Sequence, residues 1–369
     1  MDVLISGAGV AGLSAAVNLG ARGHRVTLVE RSGHFRVNGS PIDVRGDAIV
    51  VTAKMGLLDQ IRAESVRMTA QGVFVDADGA VLAPLPVAET QDSHDDIEIA
   101  REDLARILVN ALPQDATVVF HESVEAIADD GAAVDVRFVS GRTGRYDLVI
   151  GADGLHSAVR RLTFGPERDF ARHLGVYCAI AALPDTVDPG QLNPTYNYPG
   201  RMASVMRYKD TTLAVFLFRS KQVDYDHHDL AAQKRILAGA FTGHTEWLLP
   251  QLLEAANTDP ELYFDFASQI HLPSWHRGRV VLVGDAAHAA SGLSGRGTSL
   301  ALTGTWFLTE ELERAGSDLE PAFVRYEKRQ RPYAEAGQAS VGAGADLVVP
   351  ATQAEIDARN DRIRAIVAG

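Results

Sequence analysis

The sequence has a single cysteine, Cys178, among its 369 residues. One thiol cannot form an intramolecular disulfide, and without a second thiol there is no CxxC motif for metal binding or redox exchange. Cys178 lies in the apolar run at residues 176–183, where a cysteine usually acts as a small buried hydrophobic residue. The function must therefore be sought in other side chains.

The sequence is also short of positive charge and of long hydrophobic runs. With 35 Lys and Arg against 48 Asp and Glu, the formal net charge is −13, which argues against nucleic acid or an anionic membrane as a partner. No basic segment precedes the first apolar run, and no span of about 20 apolar residues follows it. We therefore expect a cytoplasmic protein, and its 46% hydrophobic residues are typical of a globular chain.

Residues 3–30 carry the most specific pattern that is present. An apolar run leads into Gly7-x-Gly9-x-x-Gly12, a stretch of small residues follows, and a second apolar run ends at Glu30. Gly7 permits a tight turn, Gly9 lets the backbone approach a pyrophosphate, and Gly12 lets a helix pack closely on the strand. The carboxylate of Glu30 can accept hydrogen bonds from an adenosine ribose. The segment predicts a strand, turn, helix and strand that bind a dinucleotide.

Other groups around this segment are suited to anions. The N–H groups near Ala11, in the first helical turn, face the expected phosphates with the positive end of the helix dipole behind them. Arg31 and Arg45 lie in the loop after the second strand, where α/β proteins meet ligands, although a solvent-exposed arginine is the alternative for both. Arg101 begins a helical pattern against the helix dipole, which indicates a phosphate nearby.

Two later segments repeat the order of strand, glycine, acid and helix. Residues 146–161 place Asp153 after an apolar strand, and residues 278–302 place Asp285 in the same way. Either acid taken singly is also explained as a helix N-cap. A second glycine cluster then opens a helix at Gly297.

The middle of the chain has a different character. Alternating and aromatic runs at residues 174–269 indicate a mostly antiparallel sheet with covering helices, and the Asp78-Gly79 turn predicts a β-hairpin at residues 66–85. We predict an α/β fold with a discontinuous Rossmann-like domain, an inserted β-sheet domain for substrate and a C-terminal helix. The predicted boundaries are residues 1–72, 99–173 and 271–335 for the first domain, 73–98 and 174–270 for the second, and 336–369 for the tail and helix.

Taken together, the motifs resemble those of the single-component FAD-dependent aromatic monooxygenases, the para-hydroxybenzoate hydroxylase-like family that includes the tetracycline-inactivating flavin monooxygenases. Three segments in the family's order carry the resemblance: Gly7-x-Gly9-x-x-Gly12 with Glu30-Arg31, Gly151-Ala152-Asp153-Gly154 with Ser157 and Arg160, and Gly284-Asp285-Ala286-Ala287-His288 with Gly295-x-Gly297. The resemblance implies an FAD-binding domain and NADPH or NADH as the reductant. The chain lacks a second strand-linked glycine motif, so the reductant would bind in a surface groove.

The resemblance also implies a reaction and a set of FAD contacts. The reduced flavin would add O2 as a C4a-hydroperoxide and oxygenate an aromatic or polyketide-like small molecule. The implied contacts are Gly7, Gly9, Ala11 and Gly12 at the pyrophosphate, Glu30, Arg31 and Val124 at the adenosine, Arg101 and Asp285 at the pyrophosphate and ribityl chain, Asp153 in the motif that serves both FAD and NAD(P)H, and Gly295, Gly297 and Thr298 at the flavin. A helix N-terminus at Gly297 would stabilise the anion of reduced flavin.

Three residues depart from the family's usual last motif. Gly292 stands where the family usually has Pro, Arg296 where it often has Gln, and Ser299 where it often has Asn. We therefore expect a more flexible and more cationic loop around the flavin ring, which concerns the substrate more than FAD.

Substrate contacts are harder to assign from sequence. The candidates are Arg45, Tyr196, Tyr198, Arg207 and Phe218, although aromatic stripes on strands are usually core. Alternatives to a monooxygenase are a flavin oxidase or dehydrogenase without oxygen transfer and a non-catalytic dinucleotide-binding protein.

Two histidine-containing stretches carry weaker signals. Residues 224–229, DYDHHD, have ligand types for a metal, but contiguous side chains converge poorly on one ion, so we expect a solvated loop and no metal. His288 is expected to form structural hydrogen bonds. We expect a monomer or homodimer.

Overall fold

The structure is a computed structural model that describes residues 1–35, 40–66, 71–85, 95–187, 190–316 and 318–368. Its strands, in chain order, are β1 (Asp2–Ser6), β2 (Arg25–Glu30), β3 (Ile42–Val44), β4 (Gly72–Val75), β5 (Val81–Pro84), β6 (Ile97–Ile99), β7 (Thr117–Phe120), β8 (Val124–Asp129), β9 (Val134–Phe138), β10 (Thr143–Tyr146), β11 (Leu148–Gly151), β12 (Ala171–Ala182), β13 (Asn193–Tyr198), β14 (Arg201–Tyr208), β15 (Thr211–Arg219), β16 (Tyr263–Ile270), β17 (His276–Arg277) and β18 (Val280–Leu282). Its α-helices are α1 (Val10–Gly20), α2 (Asp47–Lys54), α3 (Leu58–Ala63), α4 (Arg101–Asn110), α5 (Ala158–Thr163), α6 (Leu230–Ala240), α7 (Leu249–Thr258), α8 (Asp285–His288), α9 (Gly297–Glu313), α10 (Glu320–Ala339), α11 (Val341–Val348) and α12 (Gln353–Ala368).

The first sheet is built around β1, in the order β17-β18-β11-β1-β2-β7. All neighbours pair in parallel except β17 with β18. Val3, Leu4 and Ile5 are fully buried, as expected for a parallel sheet that is covered on both faces. The carboxyl ends of β1, β2 and β11 therefore lie side by side, and the loops that follow them meet at one edge.

The second large sheet has seven strands in the order β16-β12-β15-β14-β13-β4-β5. Its pairs are antiparallel except β13 with β4. One face carries Tyr177, Phe216 and Phe218, which pack against Phe241 and Leu252 of the α6 and α7 region. The predicted hairpin is β4 and β5 at one end of this sheet, whereas residues 67–70 of that prediction lie outside the described residues.

A two-stranded ladder of β3 and β6 lies beside α9. Asp43 pairs with Glu98 across this antiparallel ladder, and the alternate residues Ile42 and Ile99 enter the main core. The two acids therefore face away from the core, because neighbouring side chains on a strand point to opposite sides. β3 contacts α9 directly.

The C-terminal helices tie the two large sheets together. Tyr326 of α10 donates a hydrogen bond to the carbonyl of Leu282 at 3.1 Å, and Ile363 of α12 packs with Phe74 and Ala83 of the second sheet. Among the helices of the described ranges, none is both long and apolar enough to cross a membrane.

Candidate FAD and substrate site

The glycine turn after β1 combines two crowded positions with one open position. Gly7 has φ +99°, and a Cβ there would lie 2.5 Å from the carbonyl oxygen of Ala152. A Cβ on Gly12 would lie 1.8 Å from the carbonyl oxygen of Gly7, whereas one on Gly9 would meet no protein atom within 4 Å. Protein packing thus requires glycine at positions 7 and 12. Gly9 instead borders open space before the first turn of α1, which suits a closely approaching pyrophosphate.

The first turn of α1 supports the same use. Its N-cap is Gly9, and no side chain caps the helix. Ala11, the second helical residue, is buried. Uncapped N–H groups at the positive end of a helix dipole attract phosphate oxygens, so the turn fits the phosphates of FAD.

Glu30, at the end of β2, is held by two backbone amides. Its carboxylate oxygens accept hydrogen bonds from the N–H of Ala8 at 2.8 Å and the N–H of Ser32 at 2.9 Å. A carboxylate oxygen has a further lone pair for a hydroxyl donor, so a ribose contact is compatible with this geometry. Val124 begins β8 and is 2% exposed, leaving only its backbone for the predicted adenine contact.

Arg31 follows the last residue of β2, and its side chain extends toward the loops of the second sheet. Its Nη1 lies 3.2 Å and 3.0 Å from the two ring nitrogens of His228, and the pair is exposed. The alternative reading of Arg31 as an exposed arginine therefore describes its position, and its role at the adenosine stays a prediction.

Asp153 and Asp285 are placed differently although their sequence contexts match. Asp153 accepts hydrogen bonds from the Ser157 hydroxyl and from the N–H of Val159, the latter at 3.0 Å, so it organises the start of α5. Burial raises the pKa of Asp153, and these hydrogen bonds oppose that rise. The N-cap of α5 is Ser157, so the alternative of Asp153 as the N-cap is wrong, and Asp153 instead binds the N-cap hydroxyl and the N–H of the second helical residue.

Asp285 instead presents an accessible carboxylate at the start of α8. The protein atoms around Asp285 desolvate its carboxyl and so raise its pKa, and the positive charge of Arg101 opposes this rise. A Cβ on Gly297 would lie 4.0 Å from Asp285 Oδ1, so the carboxylate is next to the first turn of α9. Arg101, Asp285 and the N-terminus of α9, with Thr298 as its second residue, thus converge from three separate parts of the chain.

Arg45 fastens the β3–β6 ladder to α9. Its side chain is only 11% exposed and pairs with Asp43 at 2.8 Å, while its backbone N–H donates to the Ser299 hydroxyl at 2.9 Å. A Cβ on Gly295, which has φ +62°, would lie 3.5 Å from Asp43 Oδ2. The alternative of a solvent-exposed Arg45 is therefore wrong, because the ion pair holds the guanidinium in the ladder.

Sequence reasoning missed Asp43 and Glu98. Burial, followed by the negative charge of Asp43, raises the pKa of Glu98 to about 7. The signal in the sequence was a polar residue in the middle of each short apolar strand, but only the pairing of β3 with β6 brings the two acids together.

Four of the substrate-pocket candidates pack on the face of the second sheet that helices cover, and their role at a substrate stays a prediction. Tyr196 packs against Trp247, Tyr198 stacks on His244 at 3.9 Å, and Phe218 packs against Phe241. Arg207 lies on the same side of β14 as buried Ala203 and donates to the carbonyl of Gly190. These residues belong to the helix-covered face of the second sheet, because alternation along β13, β14 and β15 turns them away from α9.

The opposite face of that sheet carries a half-buried apolar patch that we call the cleft wall. It consists of Cys178, Ile180, Met206 and Val215 on the adjacent strands β12, β14 and β15. Beside it, Leu293 and Ala100 pack on the same face of the sheet. Half-exposed apolar residues in the middle of a sheet indicate a cleft between this face and the α9 region, and such clefts bind small molecules.

Two histidine expectations also meet the structure. Both ring nitrogens of His288 are buried without a hydrogen-bond partner among the described residues, so the expected hydrogen bonds are wrong. Its ring lies 4.6 Å from that of Trp275, and burial lowers the pKa of His288 to about 4.

The loop at residues 224–229 folds more tightly than expected. Candidate ligand atoms of Asp226, His227 and His228 all lie within 4.8 Å of one another. His227 stacks on His156 at 4.3 Å, and His228 contacts Arg31. The loop is thus engaged with neighbouring side chains, and the absence of a metal stays a prediction.

The site joins an open glycine turn, an acid after the second strand, an accessible carboxylate and an uncapped helix N-terminus. This arrangement beside an apolar surface is that expected of a protein that binds a dinucleotide cofactor and a small molecule. The family described as FAD binding domain matches residues 1–224. A flavin-dependent monooxygenase of Legionella longbeachae is 34% identical over 341 residues, covering 92% of this chain and 87% of that protein. An uncharacterized protein of Mycobacterium tuberculosis is 38% identical over 361 residues, covering 96% of each chain.

Solved structures show the same relationship. The crystal structure of tetracycline destructase Tet(51) is similar with a TM-score of 0.87 at 32% identity, covering 99% of this chain and 96% of that one. The chain belongs to the FAD binding domain family and is an FAD-dependent monooxygenase. The predicted family, enzyme class and FAD cofactor are thereby confirmed.

Proposed function

We propose that this protein uses NADPH or NADH to reduce bound FAD and transfers one oxygen atom from O2 to an aromatic or polyketide-like small molecule. The cleft wall carries the proposal, because it offers an apolar surface for a flat ring system beside the N-terminus of α9. When bound, FAD supplies the electron transfer and the oxygen chemistry. The protein's part is to bind, orient and exclude water.

Each end of the site would hold a different part of FAD. Gly9 and Ala11 would bind the pyrophosphate, and Glu30 would bind the adenosine ribose. Asp285 would accept hydrogen bonds from the ribityl hydroxyls, and the first turn of α9 would stabilise negative charge on the reduced ring. The fit rests on the open space at Gly9 and the accessible carboxylate of Asp285.

The domain division follows the same logic. We propose that residues 1–72, 99–173 and 271–335 form a Rossmann-like FAD-binding domain, and that residues 73–98 and 174–270 form an inserted substrate domain. The parallel order of the first sheet and the mostly antiparallel order of the second support this division. A cytoplasmic location and a monomeric or homodimeric state stay predictions from sequence.

Similarity to a tetracycline destructase suggests polycyclic polyketides as the first compounds to test. Purified protein reconstituted with FAD would be supplied with NADPH or NADH and with phenols or tetracycline. We expect some compounds to stimulate nicotinamide oxidation and to gain one atom from isotopically labelled O2, measured by mass spectrometry. A test variant is Met206→Trp, whose larger side chain should narrow the cleft. It should change the range of compounds that stimulate nicotinamide oxidation while FAD stays bound.

A flavin oxidase is the alternative that this experiment separates. An oxidase would release hydrogen peroxide in full yield and leave every product unlabelled. That result would contradict oxygen transfer while leaving FAD binding intact.

A further inference from the structure

We propose that Glu98 and Asp43 share one proton near neutral pH and act as a positioning pair beside the flavin ring, so that the reduction potential of bound FAD follows the protonation of Glu98. The inference rests on the proposed function, because it requires the flavin ring at the N-terminus of α9.

The ladder places two acids directly opposite each other. Asp43 and Glu98 are paired residues of β3 and β6, and both side chains point away from the core that takes Ile42 and Ile99. Side chains so paired have Cβ atoms about 5 Å apart, and like charges in that arrangement repel. One proton between the two carboxyls relieves this repulsion.

The partners of the two acids decide which one takes the proton. Asp43 binds the Arg45 guanidinium at 2.8 Å, whereas the Glu98 carboxyl makes no hydrogen bond to any residue in the described ranges. Burial raises the pKa of Asp43, but the charge and hydrogen bond of Arg45 oppose that rise, whereas the Glu98 carboxyl is buried without such a hydrogen bond, which favours its neutral form. Glu98 is therefore the member of the pair that titrates near neutrality, in agreement with its raised pKa of about 7.

Other charged groups around the pair define the field in which it titrates. Asp96, which precedes β6, lies 3.9 Å from Arg45 Nε, and Arg296, which precedes α9, attracts Asp43. Arg101 and Asp285 face the N-terminus of α9 from α4 and α8. Glu64, after α3, and Asp103, in α4, bind Lys209 and Arg106, so their negative charges are neutralised by their own partners.

The Asp43 side of the pair is connected to α9 by short contacts of the main chain. The Ser299 hydroxyl, in the first turn of α9, donates to the carbonyl of Asp43 at 3.2 Å and accepts from the N–H of Arg45 at 2.9 Å. Ionisation of Glu98 therefore adds negative charge beside the turn that would stabilise the anion of reduced flavin. Because like charges repel, ionised Glu98 disfavours the reduced form.

The test is a redox titration of the FAD-loaded protein against a reference dye between about pH 5.5 and pH 8.5. The variants are Glu98→Gln, which keeps the side-chain shape but cannot ionise, and Glu254→Gln, a control on the exposed surface of α7. Wild type and Glu98→Gln should have equal potentials at the acid end. Above about pH 7, reduction of wild type should become about tenfold less favourable than reduction of Glu98→Gln, which is about 30 mV for a two-electron couple.

A second variant and a second measurement keep the result decisive. Asp43→Asn should move the divergence to lower pH, because it removes the negative charge that opposes ionisation of Glu98. In FAD-free protein, wild type should lose stability relative to Glu98→Gln as the pH rises from 5 to 8, since the acid ionises more readily in the unfolded chain.

The outcomes separate the inference from the proposed function. FAD binding with parallel potentials for wild type and Glu98→Gln at every pH overturns the acid pair and leaves the monooxygenase proposal in place. The acid pair is also overturned if the potentials of Glu254→Gln and Glu98→Gln differ from the wild-type potential by the same amount at each pH. A wild-type protein that binds no FAD contradicts the proposed function and the inference together.

Discussion

The two faces of the seven-stranded sheet are both apolar, yet they do different work. One face, with Tyr177 and Phe216, is sealed by α6 and α7 and forms an aromatic core. On the other face Ile180, Met206 and Val215 stay partly exposed, while its buried Met202 and Leu217 pack with residues of the α11 region. The side chains on both faces are apolar, so residue type does not distinguish them. The difference teaches that the substrate site is indicated by where apolar side chains remain uncovered by helices.

The same contrast recurs within the FAD site. Gly12 is closed in by backbone while Gly9 borders open space, and Asp153 is engaged by its own helix while Asp285 is accessible. Each closed member should matter for folding, and each open member should matter for ligands. Four substitution experiments test this division.

The largest effect should come from the two sheet faces. Phe216→Ala removes a fully buried ring and should lower the free energy of unfolding by about 4 kcal/mol. Met206→Ala on the cleft wall should cost less than about 1.5 kcal/mol and should raise KM for the substrate. Denaturant unfolding and steady-state kinetics measure the two quantities, and equal stability losses would contradict the division between faces.

The two glycines come next. Gly12→Ala places a Cβ 1.8 Å from a backbone oxygen and should cost about 3 kcal/mol of stability. Gly9→Ala should change the stability of FAD-free protein by less than about 0.5 kcal/mol but weaken FAD binding at least tenfold, as measured by fluorescence titration. Unchanged FAD affinity in Gly9→Ala would remove Gly9 from the pyrophosphate site.

The buried side chain of His288 should make the free energy of unfolding depend on pH. His288 is neutral in the folded protein because burial lowers its pKa from 6.5 to about 4. In the unfolded chain its pKa has the ordinary value, so it is protonated once the pH falls below about 6.5. Stability is therefore lost as the pH falls from 6.5 to 4, by up to about 3 kcal/mol. His288→Phe should flatten this part of the curve in urea unfolding, and an unchanged slope would contradict the buried neutral imidazole.

The smallest effect should separate the two acids. Asp153→Asn should lower the stability of FAD-free protein by about 1 kcal/mol, because the amide keeps only one of the two oxygens that accept from Ser157 and Val159. Asp285→Asn should leave that stability within about 0.5 kcal/mol and instead weaken FAD binding. Thermal unfolding without FAD and a flavin titration make the comparison, which fails if both variants lose stability alike.

Much of the site could be predicted from sequence because its motifs are local. Gly7, Gly9 and Gly12 act through backbone geometry within one turn, and Glu30 lies at a set distance along the chain from them. The β4–β5 hairpin followed from a two-residue turn in the same way. The substrate-pocket residues could not be predicted, because a strand's alternation reveals two faces without showing which face helices will cover.

The sequence by itself determined the strand, turn and helix at the first glycine motif, the order of the three motifs and, through them, the class of cofactor. These depend on contacts between residues that are close in the chain. Only the tertiary structure decided that Arg45 forms an ion pair in the β3–β6 ladder, that Glu98 opposes Asp43, and that Met206 is partly exposed whereas Phe218 is buried on the opposite face of the sheet. Those facts arise from strand pairing and helix coverage between distant segments, which set burial and charge at each position.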